Sequence, residues 1–169
     1  MTSLFKLYLE LCLFRAGPQD VPYSQGLMNF TVGAYVLLSL IISLADYSFP
    51  SAVVSVAIDL IMMIGFTLTG LWLRQFTHRI TQTVTALAGA GIVFNLLSWP
   101  LVVLASDYSP DQLLFPQYLL YLLLFWNIGI VGHILKMALS ISYWVAIVIS
   151  VSYIFTYYSV ISIFLTPNS

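Results

Sequence analysis

The chain has 169 residues, 61% of them hydrophobic and only 7% charged, with a net charge of −1. A water-soluble domain carries about 25% charged residues, so no water-facing surface of ordinary size can be built, and the class is a one-domain α-helical membrane protein. The near-zero charge argues against nucleic-acid binding and against a polybasic lipid-binding arm. The single cysteine, Cys12, excludes an internal disulfide and a zinc site made of thiolates.

No signal peptide is expected at the start, because Glu10 interrupts the apolar run after Lys6 and no small-x-small cleavage site follows. Ser3–Arg15 is apolar up to its terminal Arg15 apart from Ser3, Lys6 and Glu10, which fall on one narrow helical stripe. At about 13 residues against the ~20 that a span needs, this stretch predicts an interfacial amphipathic helix. Its apolar side rests either on lipid or on the spanning bundle. Ala16–Ser24, with Pro18 and Pro22, reads as a stiff connector.

Five spanning helices follow, over Gln25–Ala45, Ser51–Leu73, Ile80–Ala105, Gln117–Leu135 and Ser140–Leu165. Each is long enough for a hydrocarbon core of ~30 Å. Gly132–Ser140, marked by His133 and Lys136, predicts a tight hairpin between the last two, and Thr166–Ser169 forms a short tail. All the basic residues fall on one side of this arrangement: Lys6 and Arg15, then Arg74 and Arg79, then Lys136. The opposite loops carry Asp46, Asp107 and Asp111. The distribution predicts a cytoplasmic N-terminus and an outward C-terminus.

Asp59 is the one carboxylate well inside a span, and an ionisable side chain in a bilayer needs a partner or a task. Ranking residues by depth, at ~1.5 Å per residue, puts Asn95 and Asn127 at its level, with Tyr153, Thr156, Tyr35 and Ser39 from the outer spans. The two amides could donate to Asp59, an intramembrane polar layer that holds helices together. The competing readings are a proton- or ion-handling site and a contact with another subunit or a lipid. The lack of a second intramembrane carboxylate weakens a relay.

Pro100 predicts a kink in the third span, and Gly89, Gly91, Gly129 and Gly132 predict close helix contacts. Aromatic residues near the segment ends, among them Tyr47, Trp72, Tyr108, Tyr118, Tyr157 and Tyr158, fit an interfacial belt. His78 and His133 lie beside basic residues at span ends, which fits an interface better than a haem or metal site. No metal or cofactor is expected. Nor is an enzyme, since no catalytic or nucleotide-binding motif is present.

Three stretches, Phe14–Ser24 (FRAGPQDVPYS), Thr81–Gly91 (TQTVTALAGAG) and Trp126–Leu139 (WNIGIVGHILKMAL), resemble the Yip1 family of five-span membrane proteins, nearest to its proteobacterial members. The resemblance implies the five-span architecture and a bacterial inner-membrane location. The DLYGP-type element of the eukaryotic members is absent. The leading expectation is a non-enzymatic accessory or scaffold subunit of a membrane assembly, with the bilayer and other membrane proteins as partners and no nucleic acid. A second is a small ion- or proton-coupled transporter or channel component using Asp59. A third is a lipid-handling protein in which Arg15, Arg74, Arg79 and Lys136 meet anionic headgroups.

Overall fold

A computed structural model describes residues 3–107 and 114–165. Its helices are α1 (Leu4–Cys12), α2 (Gln25–Ser43), α3 (Phe49–Leu73), α4 (Ile80–Asp107), α5 (Leu114–Leu139) and α6 (Tyr143–Leu165). Single 3-10 turns stand at Pro18–Asp20 and Thr77–Arg79, and no strand occurs among the described residues. Five helices are long and apolar enough to cross a membrane. Part of the loop after α4, with Tyr108 and Asp111, and the tail 166–169 lie outside the described residues.

Local chemistry sets most helix ends. Ser3 Oγ accepts from the Lys6 amide at 3.3 Å and Ser24 Oγ from the Leu27 amide at 3.2 Å, N-caps for α1 and α2. Pro50 opens α3 where a missing N–H costs nothing. Three helices ending at one end of the bundle close in the same way. The amides of Arg15, Phe76 and Ile141 reach back to the carbonyls of Glu10, Leu71 and Lys136, at 2.9, 2.8 and 3.3 Å. Phe14, Gln75 and Ser140 sit at φ of 60°, 58° and 52°. These are Schellman closures with non-glycine residues in the left-handed position.

This closure corrects the expected boundary between the last two spans. Gly132–Leu139 is not a loop but the last two turns of α5, and the connection is only Ser140–Ser142. Gly132 serves close packing instead: a Cβ there would stand 2.7 Å from Ile147 Cδ1 of α6. α4 likewise runs on through Pro100 to Asp107.

The spanning helices close into a ring in the order α2–α4–α5–α6–α3, with α3 returning to α2 and also touching α4. α4 is the most buried span. Its run of Thr83, Val84, Thr85, Ala86, Leu87, Ala88 and Ala90 is buried, and the small side chains let α1, α2 and α5 approach. The outer surface is apolar: Phe30, Trp144 and Ile163 are 74%, 78% and 76% exposed. Such a surface matches hydrocarbon rather than water.

α1 packs against α4 and α5, with three stripes. Tyr8, Leu11 and Cys12 are buried in the bundle; Phe5, Leu9 and Leu13 are exposed and apolar; Ser3 and Lys6 are exposed and polar, beside half-buried Glu10. Lys6 and Glu10 form an i,i+4 ion pair at 3.8 Å. Tyr8 Oη and Thr31 Oγ1 lie 2.7 Å apart, tying α1 to α2. The helix therefore rests on protein along one stripe and presents another apolar stripe outward.

Candidate functional site

The ring encloses a cavity of about 540 Å³, lined by side chains from all five long helices. The lining extends to exposed Asp46 and Tyr47 at the α2–α3 turn, so the cavity reaches the surface there. Towards the other end it stops near Thr67 and Leu135. From there Leu135 joins Leu71, Ala138, Leu139 and Ala146 in an apolar cluster with Phe76, Ile141 and Ile149. The cavity is thus open at one end and plugged at the other.

Asp59 projects from α3 into this space, half-buried, with a partner on each side. The Tyr35 hydroxyl of α2 donates to Oδ2, and the Tyr153 hydroxyl of α6 donates to Oδ1 at 2.9 Å. Gly91 makes room for the first phenol, since a Cβ there would come within 2.5 Å of Tyr35 Cε2. Phe66 meets the second edge-on, with ring centroids 5.4 Å apart. One carboxylate therefore ties α3 to both of its neighbours in the ring, α2 and α6. A second polar contact, between Ser55 Oγ and Tyr157 Oη at 3.4 Å, joins α3 to α6 nearer the open end.

Asn95 and Asn127 line the same cavity as Asp59, but neither amide is the carboxylate's bonded partner. Asn95 Nδ2 donates to Ser39 Oγ at 2.9 Å, joining α4 to α2. Asn127 stands on the α5 wall. Thr156 turns to its own helix, donating to the Ser152 carbonyl at 2.7 Å. Tyr35 and Tyr153 do what was expected of the asparagines. Depth alone placed them in the layer, and a phenol at carboxylate level was the available signal.

The basic residues gather at the plugged end. Arg74 Nε and Nη2 donate to the carbonyls of Leu139 and Ser140 at 3.2 and 3.4 Å. Arg79 Nη1 is shared among the carbonyls of Met137 and Ala138 and Ser140 Oγ, at 3.3–3.5 Å. The last carbonyls of a helix have no intrahelical donors and carry partial negative charge, so the two guanidiniums cap α5. Arg79 also lies over the Phe76 ring at 4.6 Å. Lys136 Nζ lies 6.0 Å from the Tyr143 ring centre, and Arg15 is exposed.

The connector after α1 spans α4 and α5. The Gln82 amide donates to the Val21 carbonyl at 2.7 Å. His133 Nε2 lies 3.1 Å from the Ala16 carbonyl, and its ring meets Phe14 edge-on at 5.5 Å. His78 stands exposed, 6.2 Å from the Phe76 ring. Cys12 is 1% exposed, and burial pushes its thiol up to about 11. No group of three His, Cys, Asp or Glu residues able to hold a metal ion occurs among the described residues.

No family model, curated protein or solved structure matches the chain.

Proposed function

We propose that the protein is an integral membrane transporter or channel component, in which the cavity around Asp59 takes a small cationic solute. The observation that carries this reading is a membrane-depth carboxylate on the wall of a one-ended cavity, with no Lys, Arg or His among the described lining residues. An intramembrane carboxylate that faces a cavity marks a substrate or ion path, and helix bundles place such sites between their helices. Asp46 at the mouth adds a second negative charge on the route inward.

The basic residues at the plugged end support an N-in orientation with the mouth facing out, and a bacterial inner-membrane location follows only from the likeness to the Yip1 family. The likeness to the Yip1 family belongs with this proposal. Its three stretches pack on one another, through Phe14 beside Gly129, His133 beside Ala16, and Gln82 bonded to Val21. An accessory subunit would offer small-residue faces to its partners. Those at Gly89, Gly91, Gly129 and Gly132 are filled from within the chain, by Tyr8, Tyr35, Phe14 and Ile147. The lipid-handling reading shares Arg74 and Arg79 with the α5 cap.

Reconstitution into proteoliposomes tests the proposal. A cation flux above that of protein-free vesicles is expected, and Asp59→Asn should abolish it while leaving helix content unchanged. Native protein no more permeable than empty vesicles would refute it.

A further inference from the structure

The proposal of a cationic solute leaves open which kind of cation the cavity takes, and the walls bear on that choice. Asp59 is satisfied by hydrogen bonds but not by charge, because a phenol donates a proton without supplying a positive charge. A carboxylate has about four acceptor positions, so the two tyrosine bonds leave lone pairs for an occupant. Asn127 stands on the α5 wall of the same space.

The remainder of the lining gathers no set of metal-binding side chains, since no group of three His, Cys, Asp or Glu residues able to hold a metal ion occurs among the described residues. A bare metal ion is held by a close shell of oxygens at about 2–2.6 Å, and here the carboxylate's two bonded partners are phenols. Phe66, Phe94, Tyr153 and Tyr157 line the same cavity, Tyr153 bonded to the carboxylate and Phe66 edge-on to Tyr153. Aromatic faces attract cations whose charge is spread over an apolar body, and ammonium groups with alkyl substituents are the usual guests of aromatic walls. Size points the same way. A space of about 540 Å³ is far larger than a dehydrated metal ion and falls within the ~300–1,000 Å³ of small-molecule pockets.

We propose that the solute is a small organic ammonium ion, bound by charge pairing to Asp59 and by the aromatic side chains of α3, α4 and α6. This rests on the cavity being a cation site, and the experiment separates the two ideas. Methylammonium, choline and tetraethylammonium are titrated into the purified full chain in detergent, beside the neutral dimethylbutanol isostere of choline and sodium chloride. Choline should bind at least about tenfold more tightly than its neutral isostere, and sodium should not displace it. Asp59→Asn should lose about tenfold in choline affinity, whereas Asp59→Glu, which keeps the charge, should retain measurable binding. Tyr157→Leu should weaken choline severalfold and leave weak binding of the isostere unchanged.

Equal binding of the isostere, displacement by sodium, or no binding of any of the three ammonium ions would overturn the assignment. If vesicles still carried an inorganic cation flux that depends on Asp59, the cavity reading would stand and only the solute class would fall. Loss of that flux as well would remove both.

Discussion

Gly89→Ala tests whether α1 is held by the bundle. A methyl carbon at residue 89 would stand 2.4 Å from Cδ1 and 2.8 Å from Cγ of Tyr8. The ring has little room to move, because Tyr8 is 7% exposed and its hydroxyl is tied to Thr31 at 2.7 Å. Overpacking of this kind costs about 1–3 kcal/mol, and a displaced ring also forfeits a hydrogen bond worth about 1 kcal/mol. A loss of ~2 kcal/mol in docking would make the undocked state ~30-fold more populated. Cys12 reports that state, since it is buried in the same interface with its thiol directed at the Ala90 carbonyl, 3.9 Å away. With the docked thiol pushed up to about 11, only ~0.1% is thiolate at pH 8, against ~25% for a free thiol near 8.5. Maleimide labelling at pH 8 should therefore quicken ~30-fold in Gly89→Ala. Labelling of docked protein should keep rising with pH towards about 11, whereas labelling of an undocked variant should level off above ~9. Adding Tyr8→Leu removes the clashing ring and should recover part of the slow rate. Equal labelling rates for native and Gly89→Ala protein would refute the docking.

Two further substitutions probe the ring. Gly91→Ala would press on the Tyr35 ring, 2.5 Å from the new carbon. It should cost about 1–3 kcal/mol in thermal unfolding in detergent and reduce any Asp59-dependent flux; unchanged stability and flux would refute the packing. Gln75→Gly should do the reverse. It relieves a non-glycine residue at φ 58° and should raise stability by about 1 kcal/mol, so a fall in melting temperature would contradict the closure at the end of α3.

The spans were legible because length and hydropathy are one-dimensional properties, and the depth of Asp59 was legible because α-helical rise is constant. Angular position around each helix was not. Asn95 and Tyr35 stand at similar depth, yet Asn95 meets Ser39 while Tyr35 meets Asp59. That choice depends on α2 and α6 flanking α3 in the ring, which no periodicity in these almost uniformly apolar helices reveals. The end of α5 was missed for a different reason. Glycine is the usual signal for a left-handed cap, and here Ser140 takes that conformation while arginines from the α3–α4 junction supply the donors. Distant side chains completed a stop that local sequence did not announce.

The clustering of these ties at one end has a mechanical consequence. The connector after α1 bridges α4 and α5, and Arg74 and Arg79 fasten the α3–α4 junction to the foot of α5. Ties gathered at the feet leave fewer cross-links at the heads, where the short α2–α3 turn holds α2 to α3 and hydrogen bonds hold α3 to α6. Solute exchange would then depend on how far α6 parts from the joined α2–α3 pair. An occupant of the cavity would have to compete with or reinforce the Tyr35–Asp59–Tyr153 bridge that joins those helices.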